Sequence, residues 1–187
     1  MSRYLTWIGV LLATVPAAPQ TTGVLPEWEV KKMVDSLVAQ VRRFGPLLSE
    51  VKPQEWQGAS SAFQAQLKTT RAASEYLVQE AEALASRPDR VTRALAVYFR
   101  MQAVEAMIGS LAQGVRTYQN PALAELLEGA LRDNSSAGEQ LRQYLVDLAA
   151  AKESEFDVID REAQRCREVL SRQPNRPRPV EPKTNPK

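Results

Sequence analysis

The sequence predicts an all-α protein: an up-down-up-down antiparallel helical bundle with a long C-terminal helix, preceded by a signal peptide and followed by a disordered Pro-rich tail. Apolar residues recur at alternating steps of three and four along most of the chain, which is the period of an amphipathic helix. A length of 187 residues and an apolar fraction of 44% are enough for one domain with a core. Short turns, which make successive helices antiparallel neighbours, are predicted at Lys52-Pro53, Arg87-Pro88 and Asn120-Pro121.

Residues 1–17 have the order of regions that is typical of a secretory signal peptide. Arg3 is followed by a mostly apolar run over residues 5–15, and the small residues of Val15-Pro16-Ala17 suit cleavage after Ala17. The run is too short to span a bilayer comfortably. We therefore expect an exported protein, periplasmic or extracellular, with a membrane contact only if the segment stays uncleaved. Residues 18–25 are expected to form a flexible lead-in.

The helical bundle is predicted over residues 26–172, and its first helix over residues 26–51. Pro26 suits the first helical position, and an apolar heptad stripe follows it. Pro46 cannot donate a hydrogen bond to the carbonyl four residues earlier, which predicts a kink at 45–46. The stripe keeps its phase across the interruption, so the pattern favours a kinked helix or two collinear pieces over a change of direction.

Two further helices are predicted over residues 54–86 and 88–119. The seam of the first includes the hydroxyl residues Ser60, Thr70 and Ser74, which allow close approach but bury less apolar area. The second has the most regular apolar pattern in the chain, and its wide apolar face indicates contact with two neighbours.

The fourth helix is predicted over residues 121–171. Asn120 suits the N-cap and Pro121 the first helical position. Its weak point lies between residues 133 and 139, where Ser136 and Glu139 match a capping box that could restart a helix. Since the apolar residues stay in phase through this segment, we favour one continuous or bent helix; a break near Ser135 is the alternative.

An unbroken fourth helix would be about 75 Å long and would outlast its neighbours after about Lys152. The segment beyond Lys152 still carries an apolar stripe, which a free helix would expose to water. Two solutions follow. Either the helix breaks near Ser135 and residues 121–134 fold over one end of the bundle, or a second copy covers the overhang. The stripe consists of Phe156, Ile159, Ala163, Cys166 and Leu170.

The composition restricts the chemistry of the chain. There is no histidine, which removes the usual general base and the commonest metal ligand, and one cysteine, which excludes an internal disulfide. No catalytic, cofactor-binding or metal-binding motif is recognisable, so we expect no enzymatic activity and no cofactor. Cys166 is interpreted as a small buried residue of the seam, as the site of an intermolecular disulfide in a parallel dimer, or as a free thiol.

Charge is unevenly distributed along the chain. Residues 20–171 hold 18 Lys and Arg against 21 Asp and Glu, or −3, while residues 172–187 hold five basic residues and one acidic, or +4. The basic residues therefore belong to the Pro-rich tail, residues 173–187, which is predicted to be disordered, and not to a patch on the folded part that would indicate nucleic-acid binding.

Two functions are compatible with these features. The leading hypothesis is an exported, non-enzymatic bundle that acts as a scaffold, adaptor or envelope component. Its partner would be another protein or a second copy, bound through the C-terminal part of the long helix. The alternative is a periplasmic holdase or hydrophobic-ligand carrier with an apolar groove lined by the first two predicted helices.

Overall fold

A computed structural model describes residues 24–58 and 61–172 of the chain. These residues are predominantly helical and contain no strand, which confirms the all-α prediction. The predicted signal peptide (residues 1–17), most of the lead-in and the predicted tail (residues 173–187) lie outside the described residues. The elements are α1 (Glu27–Arg42), α2 (Phe44–Ser49), a 3₁₀ turn (Pro53–Glu55), α3 (Ala62–Ser86), α4 (Val91–Tyr118) and α5 (Pro121–Arg172).

The long helices form a four-helix bundle in which α1 and α4 each pack against both α3 and α5. Neighbours run in opposite directions. Arg42 forms an ion pair with Glu82, and farther along the chain the Leu48 carbonyl accepts a hydrogen bond from Arg71 earlier in α3. Contacts between α4 and α5 likewise descend in α4 as they ascend in α5: Arg116 with Glu128, Glu105 with Asn134, and Pro88 with Tyr144.

The first predicted helix is divided, but earlier than expected. The break falls at Arg43, between α1 and α2, and not at 45–46. Pro46 explains the position, because its missing N–H leaves the carbonyl of Arg42 without its usual helical partner. Val41, Phe44 and Leu48 are all buried, so the apolar stripe does keep its phase across the break.

The second predicted helix begins later than residue 54. Residues 53–55 form a 3₁₀ turn, and α3 starts at Ala62. The indole of Trp56 is the reason: its Nε1 donates a 3.0 Å hydrogen bond to Gln119, and its ring stacks on Tyr118. Gly58 then has a φ of 78°, which a helix cannot accommodate and which glycine tolerates best.

The third predicted helix is shorter at both ends than residues 88–119. It begins at Val91, and Pro88 stays outside with its carbonyl bonded to the Tyr144 hydroxyl. It ends at Tyr118, because Gln119 turns away from the helix to hold the preceding loop. The Gln119 side chain accepts hydrogen bonds from the Lys52 backbone and the Trp56 indole and donates one to the Glu50 carbonyl.

Helix α5 is continuous through residues 133–139, the segment in which a break near Ser135 was the alternative prediction. Asn120 caps its start by accepting a 2.9 Å hydrogen bond from the Ala122 backbone. Within the weak segment, Asn134 is buried and donates a 2.6 Å hydrogen bond to Glu105 of α4, while Ala137 and Gly138 are buried beside it. These contacts with α4 stabilise helical structure where local propensity alone is poor.

Candidate functional site

The bundle ends beside residues 143–148 of α5. The Tyr144 hydroxyl donates to the carbonyl of Pro88, just before α4 begins. On the other side, Trp28 in the first turn of α1 lines a cleft together with Gln143 and Asp147. Leu148 is the last fully buried residue of α5, so the neighbouring helices stop at this level while α5 continues.

We refer to residues 153–172 as the overhang. It is about 30 Å of helix, and every residue in it is exposed except Ala163, which is half-buried. The exposed fractions of the large apolar side chains are high: 66% for Phe156, 61% for Ile159 and 67% for Leu170. The helix lengths predicted that α5 would lose its bundle partners after about Lys152. The exposure of the overhang agrees with this prediction for the described residues.

Most apolar residues of the overhang lie on the side of α5 that, within the bundle, faces the interior and α4; the exposed Val158 and Val169 lie elsewhere on the helix. A straight α-helix repeats its direction every 18 residues, or five turns. Phe156 follows Gly138 by 18 residues, and a side-chain carbon at Gly138 would lie 2.8 Å from Met101 of α4. The same interval relates Ile159 to Leu141, Ala163 to Leu145, and Cys166 to Leu148, while twice that interval relates Leu170 to Asn134.

We call Phe156, Ile159, Ala163, Cys166 and Leu170 the overhang stripe. Its members alternate in steps of three and four, which is the core pattern of a coiled coil. Of their counterparts one repeat earlier, Gly138, Leu141 and Leu148 are buried and Leu145 is partly buried, while the counterpart of Leu170 is Lys152. The overhang stripe is thus a continuation of a packed surface beyond the point where its packing partners end.

Charged residues flank the overhang stripe and support the projecting helix. Arg165 pairs with Glu162 at 2.7 Å, and Lys152 pairs with Glu155 at 2.8 Å, both at a spacing of three residues. Asp160 and Arg167, immediately beside the stripe, form no ion pair with another described residue.

Cys166 is exposed in the structure. Within one chain Cys166 is therefore not a buried side chain of the seam, because the seam continues past the bundle and nothing among the described residues covers it there. An intermolecular disulfide and a free thiol remain the two alternatives for Cys166.

The groove expected for a ligand carrier is small. Between α1, α2 and α3 lies a cavity of about 260 Å³ whose lining includes Arg42, Arg71 and Glu75. Small-molecule sites are usually about 300–1,000 Å³ and mostly apolar. The cleft beside Trp28 is larger, about 560 Å³, and like the first cavity it is open to solvent; apolar residues such as Leu25 and Met33 line it together with polar residues such as Lys32 and Asp147.

Two groups inside the bundle have perturbed acidity. Burial raises the pKa of the Glu105 carboxyl, and the hydrogen bond from Asn134 opposes that rise. Burial also raises the pKa of Tyr144 to about 12, with a contribution from the negative charge of Asp89. The Glu105 carboxyl accepts a hydrogen bond from Asn134 and the Tyr144 hydroxyl donates one to the Pro88 carbonyl, so we assign both groups to packing, although the Tyr144 side chain also lines the cleft beside Trp28.

The residues that the structure describes offer neither a metal site nor a membrane-spanning helix. Those residues hold no group of three or more His, Cys, Asp or Glu side chains arranged to bind a metal ion. Over residues 24–58 and 61–172, none of the helices has the length and apolarity that a membrane crossing requires.

Comparison of the chain with protein families, with curated proteins and with solved structures finds no match.

The sequence pattern alone identifies the overhang stripe. It does not identify the charged residues beside the stripe that would favour one direction of a partner helix. By sequence, Asp160 belongs with Glu153 and Asp157 to a run of acidic residues that is typical of a solvated helix face. The structure places it directly beside the stripe, opposite in charge to Arg167 one heptad later. Asp160 and Arg167 occupy the same heptad position beside the exposed stripe, and this shared position is the sequence signal that relates them.

Proposed function

We propose that this chain is an exported, non-enzymatic helical-bundle protein that acts as a scaffold, adaptor or envelope component, by binding protein through the overhang stripe. One observation carries the proposal: an apolar coiled-coil surface continues from the packed bundle into about 30 Å of helix without a covering partner among the described residues.

The energetics favour an occupied surface. Full burial of a large apolar side chain is worth roughly 1.5–3 kcal/mol, and Phe156, Ile159 and Leu170 are each about two-thirds exposed. A contiguous apolar surface of this kind on a folded protein is typical of an interaction site. The four-helix body gives the overhang a rigid base, since α5 is a single helix from Pro121 to Arg172.

Two sequence features support the remaining parts of the proposal. Residues 1–17 have the regions of a secretory signal, which supports export. The lack of histidine and of any recognisable catalytic motif supports a non-enzymatic role. The carrier hypothesis has less support, because the groove between α1, α2 and α3 is small and rimmed by charge.

Site-specific photocross-linking in the producing cell tests the proposal. A photoreactive phenylalanine analogue at Phe156 should give a cross-linked protein adduct, because this position lies on the overhang stripe. The same group at Arg161 is the matched control, since this exposed residue lies on the opposite side of α5. An adduct at Phe156 alone supports the proposal, and its mass distinguishes a second copy from another protein. No adduct at Phe156, or equal adducts at both positions, contradicts it.

A further inference from the structure

The proposed function leaves the occupant of the overhang stripe open, and the structure narrows it. We propose that the occupant is a second copy of this chain. Its overhang runs antiparallel to the first, so that Asp160 of each copy lies beside Arg167 of the other. This inference rests on the proposed function and specifies its partner.

The direction follows from the position of α4. Inside the bundle α4 covers the side of α5 that carries residues 131 and 138, and it runs antiparallel to α5. It begins after the turn at Pro88, whose carbonyl bonds to Tyr144, so α4 does not fill the space beside the overhang beyond that turn. A second overhang that enters this space from the opposite end runs in the same direction as α4, antiparallel to α5. Its overhang stripe then packs against the overhang stripe of the first copy.

A two-fold axis between residues 164 and 165 matches the two stripes layer by layer. With the stripe residues at positions a and d of a heptad, an antiparallel pair places each a residue opposite a d residue. Ile159 then lies opposite Leu170 of the second copy, and Ala163 lies opposite its Cys166. The symmetry repeats both layers, so four apolar layers form within the described helix.

The flanking charges select this register. Asp160 and Arg167 occupy the positions that flank the d residues, and in the antiparallel arrangement these positions face each other. Two Asp160–Arg167 pairs therefore form, one on each side of the axis. On the other flank Glu162 meets Val169, which adds no like-charge contact. A shift by one heptad toward the bundle would oppose the two Asp160 residues and the two Glu162 residues, although Arg167 would then meet Glu153, and a shift the other way would oppose the two Arg167 residues.

A parallel pair is less favourable on steric grounds. Its flanking charges nearly cancel in register, because Glu155 of each copy would lie beside Asp160 of the other while Glu162 would lie beside Arg167. A parallel second helix that continued along α5 would, however, meet α4, which already covers that side of the bundle.

The two arrangements differ at Cys166. A parallel pair would place the two thiols opposite each other, where they could form an intermolecular disulfide. The antiparallel pair places each thiol opposite Ala163, so the association needs no disulfide and survives reduction.

Disulfide trapping between two different variants tests the arrangement. One variant of the full chain carries Ile159→Cys and the other carries Leu170→Cys, each with Cys166→Ser. All three positions are exposed, so the fold of the bundle should not depend on them. Disulfide formation requires Cα atoms within about 7 Å, which only directly opposed layers satisfy.

The expected result is a disulfide-linked dimer from the mixture under mild oxidation, and at most about one-tenth of that yield from either variant alone. Linked dimers from each variant alone would indicate a parallel pair and overturn the inference, while the proposed function would stand. The same holds if no link forms although sedimentation shows dimers. A strictly monomeric protein would overturn the inference, and the cross-linking at Phe156 would then decide whether a different protein covers the stripe.

Discussion

Helix α5 joins two regions that share one surface pattern and differ in what covers it. Up to Leu148 the inward face of α5 is buried against its neighbours, whereas the large apolar residues that continue this face in the overhang are exposed. Leu141 and Ile159 point in the same direction on a straight helix, yet the first is 1% exposed and the second 61%. Burial is therefore decided here by the lengths of α1, α3 and α4, and not by the apolar pattern of α5.

Substitution of this matched pair gives the largest expected difference. Leu141→Ala should lower the free energy of unfolding by about 2–5 kcal/mol, because it leaves a cavity in the core. Ile159→Ala should change the stability of the monomer by less than about 0.5 kcal/mol, because the side chain is exposed there, while it weakens self-association. Urea unfolding at low protein concentration and sedimentation at high concentration measure the two effects.

The comparison fails if Ile159→Ala destabilises the dilute monomer as strongly as Leu141→Ala. That outcome would mean that part of the chain outside the described residues folds over the overhang stripe. Arg161→Ala, on the opposite side of the overhang, should leave both stability and association unchanged.

The two ends of the bundle also differ. At the end near α2 the aromatic rings of Trp56, Phe63 and Tyr118 pack together and Gln119 fixes the indole. This end is closed, whereas α5 projects from the other. A small change inside the closed end should therefore be costly.

Gly114→Ala tests how tightly this end is packed. A methyl group at Gly114 would lie 2.8 Å from Phe63 and 3.0 Å from Trp56, so the rings must shift, and we expect a loss of about 1–3 kcal/mol in the free energy of unfolding. Gly109→Ala in the same helix is the control, because the nearest atom to the added carbon, in Leu131, is 4.0 Å away, and it should gain up to about 1 kcal/mol. Equal effects in thermal or urea unfolding would contradict the close packing.

The sequence predicts the helices better than the places where they begin. Alternation by three and four was sufficient to identify all four long helices, because each buries one face. Trp56 fits the seam spacing of a helix, but its indole N–H bonds to Gln119, which is distant in sequence, and the helix therefore starts later. Local spacing contains no information about such a contact.

In the weak segment of α5, the phase of the apolar residues predicted the continuous helix correctly where local propensity did not. Asn134 favours a turn by its intrinsic propensity, yet it is 1% exposed and bonded to Glu105 of α4. The overhang itself could be predicted from helix lengths alone. The relation of Asp160 to Arg167 could not, because it depends on the side of α5 that α4 leaves uncovered and on the direction of the partner.

A charge exchange sharpens the distinction between the overhang and the bundle. Asp160→Arg or Arg167→Asp alone should weaken self-association about tenfold, because two exposed ion pairs, each worth about 0.2–1 kcal/mol, are replaced by like-charge contacts. Asp160→Arg combined with Arg167→Asp should restore the affinity. Sedimentation equilibrium at about 0.05 M salt measures these changes, and higher salt should reduce them.

Stability of the bundle should be unaffected by these charge changes, since both residues are exposed and outside the bundle contacts. Arg161→Asp is the control for net charge alone. If the double variant stays as weak as either single variant, the two residues do not face each other, and the antiparallel register is wrong.

The smallest expected effect is a pH dependence inside the bundle. Burial raises the folded-state pKa of Glu105 above its ordinary value of 4.5, so the folded chain holds this proton more tightly than the unfolded chain does. The stabilising contribution of protonation is fully present below about pH 4.5 and is lost as the pH rises through the folded-state pKa. Glu105→Gln keeps an oxygen that accepts the hydrogen bond from Asn134 but cannot ionise.

The difference in unfolding free energy between Glu105→Gln and the wild type should therefore shift in favour of the variant as the pH rises above about 4.5. We expect a shift of less than about 1 kcal/mol, because the carboxylate is half-exposed and water screens it. Urea unfolding from pH 3.5 to pH 7 measures it, with Glu153→Gln on the overhang as the control for charge. Parallel pH profiles for wild type and Glu105→Gln would show that the contact between α4 and α5 does not desolvate this carboxylate. The buried and exposed parts of α5 would then differ in their apolar packing alone.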